Sequence, residues 1–116
     1  MLTERSISIV VPCYNEQENI KALHERVTKA MSQLTADWEL VFVDNGSRDA
    51  SAGTFAELAA QDTHVTVLSL SRNFGSQAAY SSGIEYARGD AVICMDGDLQ
   101  DPPEVIPELV TRWLEG

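Results

Sequence analysis

Two aspartates separated by one glycine carry the most specific chemistry in this sequence. Asp96 and Asp98 follow an apolar run, and Gly97 permits a tight backbone path that turns both carboxylates toward one cation. Because the loop at 96–101 offers oxygen ligands and no histidine or cysteine, magnesium or manganese suits it better than zinc. Gln100 adds a third oxygen. The alternative is a solvated acidic turn or a cluster that caps the following helix.

Three further residues follow the other apolar runs and have side chains suited to a nucleotide. An ionised Asp44 only accepts hydrogen bonds, so it suits a ring N–H of a base, or equally a helix cap or Asx turn. Tyr14 has a ring that could stack on a base or pack on the edge of a sheet. Arg72, one of three cationic side chains after position 50, suits a pyrophosphate or a surface salt bridge. Nearby Glu16 is a candidate cap for the first helix.

The elements that must position these residues alternate along the chain. Short β-branched runs predict strands, and apolar residues spaced by three and four predict helices. The predicted strands are Ile7–Val11, Trp38–Val43, Val65–Leu70 and Ala91–Met95. The predicted helices follow the stripe Ile20, Leu23, Val27, Met31 and Leu34, then Ala50–Gln61, Gln77–Ala87 and a last helix starting at Pro102 or Pro103.

Local signals mark several helix ends. Ser47 or Asp49 is the expected N-cap of the second helix, and Asp101 that of the last one, with Glu104 beside the positive end of its dipole. Gly83 costs about 1 kcal/mol inside the third helix, which indicates close packing or a weaker helix. The last helix is expected to present one apolar face, formed by Val105, Ile106, Leu109, Val110, Trp113 and Leu114.

The strand and helix order predicts an α/β fold of four βα units. Right-handed crossovers give a mostly parallel sheet with helices on both faces. In such sheets ligands bind beyond the carboxyl ends of the strands. The polar residues described above follow those strand ends, whereas the opposite ends are plain turns, so the sequence predicts one site along a single edge of the sheet.

Composition limits the classes of ligand and the compartment. The chain has 116 residues, 44% hydrophobic and 22% charged, which is typical of one soluble globular domain. A formal net charge of −10 argues against non-specific binding to nucleic acid or an anionic membrane. Residues 1–5 lack an apolar signal region, and no run approaches the roughly 18 apolar residues of a membrane span, so we expect a cytoplasmic location.

Several other residue types are expected to have no catalytic role. Cys13 and Cys94 are interpreted as buried, reduced thiols because they lack a C-x-x-C spacing. His24 and His64 are predicted to be isolated on the surface. The sequence lacks a Ser-His-Asp order, a P-loop lysine and a G-x-G-x-x-G motif, which removes acyl hydrolases, P-loop NTPases and the usual dinucleotide-binding proteins.

Four segments together resemble a known family. They read IVVPCYNEQENI, VFVDNGSRD, SRNFG and MDGDLQDPPE, within residues 6–116. The chain resembles the N-terminal half of family 2 glycosyltransferases with the GT-A fold, whose donor half is Rossmann-like. The likeness is greatest to the polyprenyl-phosphate enzymes, of the dolichol-phosphate mannose synthase and bactoprenol glucosyltransferase type.

This resemblance implies roles for the residues singled out above. The base and ribose pocket would be lined by Pro12, Tyr14, Glu16 and Asp44. The metal-bound diphosphate would be surrounded by Asp96, Asp98 and Gln100, of which the two aspartates are the catalytic residues. Asn45 stands where many relatives carry a second aspartate, and the segment SRNFG favours a UDP-sugar over GDP-mannose.

The resemblance also implies a reaction. A magnesium or manganese ion would act as a Lewis acid on the departing diphosphate while the acceptor attacks the anomeric carbon and inverts it. The expected acceptor is a polyprenyl phosphate of the cell envelope, with a saccharide hydroxyl as the alternative. Residues 1–116 are then a truncated donor-binding domain that lacks the acceptor half and any helices attaching the enzyme to the cytoplasmic face of the membrane. Its exposed last helix would allow self-association.

Three other classes compete with this interpretation. A phosphoacceptor receiver module needs a lysine late in the chain, and none follows Lys29. A sugar nucleotidyltransferase needs a basic, glycine-rich loop after the first strand, which is absent here. A non-catalytic nucleotide-binding module stays open.

Overall fold

A computed structural model describes residues 2–100 and 102–116 and contains the predicted alternation of strands and helices. The elements in chain order are β1 (Ile7–Cys13), α1 (Ile20–Ser32), β2 (Trp38–Asp44), α2 (Ser51–Gln61), β3 (Val65–Ser69), α3 (Ser76–Tyr86), β4 (Ala91–Cys94), a 3-10 turn (Pro103–Val105) and α4 (Ile106–Glu115). Every predicted element is therefore confirmed, and its ends coincide with the predicted ones or differ by one or two residues, except that a 3-10 turn precedes α4, which begins at Ile106.

The strands form one parallel sheet in the order β3-β2-β1-β4. Ile7 lies opposite both Trp38 of β2 and Ala91 of β4, and Leu40 lies opposite Val65 of β3. All four carboxyl ends therefore meet at the same edge of the sheet, which we call the carboxyl edge.

Helices cover both faces of the sheet, as predicted. Alternate residues of β1 such as Ile9 and Val11 belong to the larger core, which also contains buried residues of α1, α2 and α4. Val10 faces the other way and packs with Val41, Val43 and Ala79 of α3. The sheet is thus the middle layer, and α3 alone of the four α-helices contributes to the smaller core in the described residues.

Gly83 allows α3 to lie close against the sheet. A Cβ atom at this position would come within 2.3 Å of Cγ1 of Val10 and 3.0 Å of Cγ2 of Val43. The glycine therefore marks close packing, which is the first of the two interpretations that the sequence left open.

Some expected helix caps differ from those observed. Ala50 occupies the cap position of α2, so Ser47 is not its cap, although Asp49 Oδ1 accepts the backbone N–H of Ser51 at 2.9 Å. Glu16 Oε2 accepts the side-chain amide of Asn19, the residue in the cap position of α1, at 2.9 Å.

Asp101 and Glu104 were both expected to stabilise the start of the last helix. Asp101 lies outside the described residues. Glu104 lies in the 3-10 turn, where its carboxylate accepts Nε of Arg26 from α1 at 2.9 Å. The turn is thereby held to α1 as well as leading into α4.

The prediction that both histidines are isolated is wrong. Nε2 of His24 and Nδ1 of His64 lie 2.8 and 2.9 Å from the two oxygens of Asp62, and both ring nitrogens must donate because an ionised carboxylate only accepts. The ring of His64 also stacks on Trp38, with centroids 4.0 Å apart. Asp62 therefore joins α1, the end of α2 and the start of β3.

The cysteines and α4 show where burial was misjudged. Cys13 is buried as predicted, but Cys94 is exposed on the edge strand β4. On α4, Ile106 and Val110 are buried while Leu109 is 47% exposed, so the predicted apolar face is only partly covered.

Within the described part of the chain, no helix is both long and apolar enough to cross a membrane.

Candidate functional site

The loops at the carboxyl edge enclose two clefts that share Tyr14. The larger cleft, of about 550 Å³, lies mainly between the loops that follow β2 and β3. The smaller cleft, of about 260 Å³, lies between the ends of β1 and β4. Predicted site residues from all four strand ends therefore come together along one edge.

Asp44 lines the larger cleft and also forms the turn after β2. The residue is 6% exposed, and its Oδ1 accepts the backbone N–H of Ser47 at 3.0 Å. This bond reaches the third residue along the chain, one further than in an Asx turn, so the carboxylate caps the turn after β2, and the bond fixes its orientation. A structural role and a place in the cleft are thus combined in one side chain.

Gly46 brings the loops after β2 and β3 into backbone contact. Its φ of +75° lies in the left-handed region, and a Cβ atom would come within 2.4 Å of the carbonyl carbon of Arg72. Arg72 is thereby held at the larger cleft, and its guanidinium lies 4.7 Å from the centre of the exposed Phe74 ring. A cation stays available at this edge.

The smaller cleft contains the acidic pair. Its lining residues come from three strand ends and the start of α3: Pro12, Cys13, Tyr14, Glu16, Asn45, Ser76, Asp96, Gly97 and Asp98. Oδ1 of Asp96 accepts the hydroxyl of Tyr80 at 2.5 Å, and Oδ1 of Asp98 accepts the backbone N–H of Gln100 at 3.1 Å. Both carboxylates are therefore oriented by neighbouring donors.

A divalent cation fits this cleft only with further ligands. Among residues 2–100 and 102–116, no three histidine, cysteine, aspartate or glutamate side chains are grouped closely enough to hold a metal. Gln100 is not among the residues that line the cleft, so its role as third ligand stays a prediction. Two carboxylates supplemented by diphosphate oxygens and water would suit magnesium or manganese, because these ions take oxygen ligands and retain water.

The charge of the site is strongly negative. Glu16, Asp44, Asp96 and Asp98 all line one of the two clefts. Burial, together with Glu16 and Asp44, raises the pKa of the Cys13 thiol to about 12, so this cysteine stays protonated and is not a nucleophile. An anionic ligand would be repelled by these carboxylates unless a cation accompanied it.

Several residues at the clefts were missed by the sequence analysis. Arg48 and Asn73 line the larger cleft, Ser76 lines the smaller one, and Tyr80 bonds to Asp96. Ser76 and Tyr80 are four residues apart in α3 and so share a helix face, which was a usable signal. The others became visible only when the loops were folded together.

Sequence comparison relates the chain to sugar-transferring proteins. Residues 8–116 match the family described as Glycosyl transferase family 2. Undecaprenyl-phosphate 4-deoxy-4-formamido-L-arabinose transferase of Pseudomonas fluorescens (strain SBW25) is 50% identical over 107 residues, which is 91% of this chain and 31% of that protein. Uncharacterized glycosyltransferase YkcC of Bacillus subtilis (strain 168) is 44% identical over 109 residues, covering 94% and 34%. The chain thus spans about a third of the relatives it matches.

Solved structures share the fold. Mannosyltransferase PcManGT from Pyrobaculum calidifontis, in complex with GDP-Man and Mn2+, superimposes with a TM-score of 0.83 at 21% identity, over 98% of this chain and 33% of that one. Glucosyl-3-phosphoglycerate synthase from Mycobacterium tuberculosis, with Mn2+ and UDP, gives a TM-score of 0.72 at 28% identity, over 97% and 40%. The first of these likenesses concerns the fold alone.

Proposed function

The chain belongs to glycosyl transferase family 2, and we propose that it forms the nucleotide-sugar-binding part of an inverting, metal-dependent glycosyltransferase. The observation that carries this proposal is the pair of clefts that share Tyr14. The larger cleft contains the hydrogen-bond acceptor Asp44 and the cation Arg72, and the smaller cleft contains Asp96 and Asp98. A nucleoside diphosphate needs these two environments side by side.

The larger cleft suits the nucleoside. Tyr14 offers a ring face for the base, and Asp44 offers an oriented carboxylate that can accept a ring N–H. Pro12 and Glu16 lie on the side of Tyr14 that faces the smaller cleft. Arg72 lines the same cleft, and its guanidinium can donate two parallel hydrogen bonds to the phosphate next to the nucleoside.

The smaller cleft suits the diphosphate. When bound there, a magnesium or manganese ion would offset the charge that develops on the leaving diphosphate. Asp96 and Asp98 would hold it, and the Tyr80 hydroxyl keeps the Asp96 carboxylate in one orientation. Gln100 remains our candidate for a further oxygen.

We infer a polyprenyl phosphate as the acceptor. The support is the printed name of the Pseudomonas relative, which is an undecaprenyl-phosphate sugar transferase. A lipid phosphate is already ionised at neutral pH and needs no strong general base, and no histidine is among the described residues that line the two clefts. The donor we propose is a UDP-sugar, and the complete enzyme would work at the cytoplasmic face of a membrane.

Calorimetry with UDP and manganese tests this proposal. We expect binding that falls at least about tenfold when the metal is chelated, or when Asp98→Asn removes one carboxylate charge. Asp37→Asn, an exposed aspartate at the opposite edge of the sheet, is the matched control and should bind as the unaltered chain does. Equal affinity with and without metal would overturn the metal assignment.

A further inference from the structure

Asn15 joins the loop after β1 to the loop after β2. We propose, on the basis of the proposed function, that Asn15 is a positioning residue: it holds its neighbour Tyr14 at the larger cleft beside Asp44, and so sets the part of the nucleotide affinity that comes from the base. Asn15 is not among the described residues that line the two clefts. Its effect on a nucleotide therefore passes through Tyr14.

The backbone of Asn15 adopts a conformation that few side chains tolerate. Its φ of +52° lies in the left-handed region, which glycine, asparagine and aspartate enter most readily. The chain bends here, two residues after β1 ends at Cys13, and the ring of Tyr14 is left 39% exposed. The residue type at position 15 is therefore restricted by the backbone as well as by its contacts.

Both the backbone and the side chain of Asn15 bond to the loop after β2. The backbone N–H donates to Oγ of Ser47 at 3.0 Å, and Oδ1 accepts the backbone N–H of Arg48 at 2.9 Å. The backbone N–H of Ser47 in turn donates to Oδ1 of Asp44 at 3.0 Å. A continuous series of hydrogen bonds thus runs from the residue next to Tyr14 to the carboxylate proposed to accept the base.

A second pair of bonds repeats this pattern two residues further along both loops. Oε1 of Gln17 accepts the backbone N–H of Ala50 at 3.0 Å, and Oδ2 of Asp49 accepts the backbone N–H of Gln17 at 3.4 Å. Side chains thus continue the pairing of β1 with β2 beyond the end of the sheet. The four side chains that accept from the facing loop form what we call the loop clasp: Asn15, Gln17, Ser47 and Asp49.

The acidic pair is oriented by residues outside the loop clasp. Asp96 accepts the hydroxyl of Tyr80, and Asp98 accepts the backbone N–H of Gln100. A loosened clasp would leave these bonds in place, but a mobile Tyr14 would have to be ordered each time a nucleotide binds. Loss of the clasp should therefore weaken the contacts of the base and spare those of the diphosphate.

Asn15→Gly and Asn15→Asp form a matched pair of variants. Glycine keeps the left-handed backbone but removes the acceptor of the Arg48 N–H. Aspartate keeps both, because its carboxylate accepts the same N–H and its short side chain tolerates the left-handed region. The charge that aspartate adds acts on any anionic ligand, so the affinity for UDP is compared with that for inorganic pyrophosphate, each with manganese.

The first measurement needs no nucleotide. Amide hydrogen-exchange protection of Arg48 should fall about tenfold in Asn15→Gly and be retained in Asn15→Asp. Unchanged protection in Asn15→Gly would overturn the clasp. If the unaltered chain does not bind UDP with manganese, the proposed function fails, and the exchange result still decides whether Asn15 holds the two loops together.

The second measurement is the affinity for UDP relative to pyrophosphate. We expect Asn15→Gly to lower the affinity for UDP about tenfold and to leave that for pyrophosphate unchanged, while Asn15→Asp keeps the ratio of the unaltered chain. In a Tyr14→Ala background the effect of Asn15→Gly on UDP should shrink, because no ring is left to position. An equal loss for both ligands, or an equal loss of UDP affinity in both backgrounds, would overturn the positioning role.

A second variant covers the case in which Asn15→Gly fails to fold by circular dichroism. Gln17→Ala removes the acceptor of the Ala50 N–H at an exposed position where no left-handed backbone is required. It should lower the affinity for UDP and not that for pyrophosphate. Unchanged affinity for UDP in a folded Gln17→Ala chain that has lost exchange protection at Ala50 would contradict the proposal.

Discussion

At the scale of single residues, the site depends on hydrogen bonds between positions far apart in the chain. Tyr80 and Asp96 are 16 residues apart, and Asn45 and Asn73 are 28 apart. The aspartates were predictable because they follow apolar strands at the carboxyl edge. Their partners were not, because such pairs exist only once α3 and the loop before it are packed on the sheet.

Tyr80→Phe should weaken metal-dependent UDP binding without unfolding the chain. The change removes the hydroxyl that orients Asp96 but keeps the ring, so we expect a loss of about 1 kcal/mol, near fivefold in affinity. Tyr86→Phe in the same helix is the matched control, since its exposed hydroxyl meets only the side chain of Arg88 in the described hydrogen bonds. Calorimetry with UDP and manganese compares them, and equal effects of the two variants would contradict a role for Tyr80.

At the scale of elements, the local sequence pattern predicted which strands and helices form better than it predicted the residues at which they end. β1 continues through Pro12 to Cys13, beyond the predicted end at Val11. A proline is tolerated there because β4 ends at Cys94, opposite Val10, so that Pro12 has a strand neighbour on one side only. The prediction that His24 and His64 are isolated failed because their contacts with Asp62 depend on how α1 packs against the end of α2. Helical periodicity does not reveal that packing.

Gly83→Ala should destabilise the protein by about 1 to 3 kcal/mol, because the added methyl group would collide with Val10. Gly53→Ala is the matched control in α2, where an added Cβ meets nothing within 4 Å and the change should stabilise by up to about 1 kcal/mol. Urea unfolding followed by circular dichroism measures both. Stabilisation by both substitutions would contradict close packing of α3 on the sheet.

Asp62→Asn should cost about 1 kcal/mol near neutral pH, because Asp62 accepts hydrogen bonds from both histidines. Burial alone would raise the pKa of Asp62, but the hydrogen bonds from His24 and His64 outweigh it and hold that pKa below its usual range. A carboxyl group whose pKa is lowered on folding stabilises above its unfolded pKa, and this contribution disappears as the pH falls through the folded pKa.

The stability gap between the unaltered chain and Asp62→Asn should therefore close below about pH 4. Urea midpoints measured from neutral pH downward give this gap directly. Asp37→Asn, at an exposed position outside the cluster, controls for the general loss of one negative charge. A gap for Asp62→Asn that stays constant across the range would assign its effect to packing rather than to ionisation.

At the scale of the whole molecule, the alternation of elements was sufficient to predict a parallel sheet with helices on both faces. The strand order was not predictable, since right-handed crossovers allow several orders. The structure places the almost fully buried β1 in the centre and leaves β4 at the edge, with Val92 39% exposed. The predicted site residues follow all four strands, and the acidic pair Asp96 and Asp98 follows the edge strand β4 itself.

The last prediction is that residues 1–116 bind UDP with manganese but transfer no sugar. We propose that the two clefts take a nucleoside and a diphosphate, and the smaller one is open to solvent and only about 260 Å³. Transfer requires both reactants to be held in near-attack geometry and shielded from water. The relatives that this chain matches are about three times as long, which leaves room for an acceptor site elsewhere in such proteins.

Incubation with manganese, labelled UDP-sugars and undecaprenyl phosphate, beside a full-length relative as positive control, tests that prediction. We expect labelled lipid from the relative and none above the Asp98→Asn background from residues 1–116, although the latter bind UDP in the same buffer. Glycolipid formed by residues 1–116 at a rate comparable to the relative would contradict the prediction, because an acceptor would then have to be seated by the residues around Tyr14, Ser76 and Asp98 alone. Hydrolysis of the UDP-sugar without lipid product would instead be consistent with a donor site that water can enter.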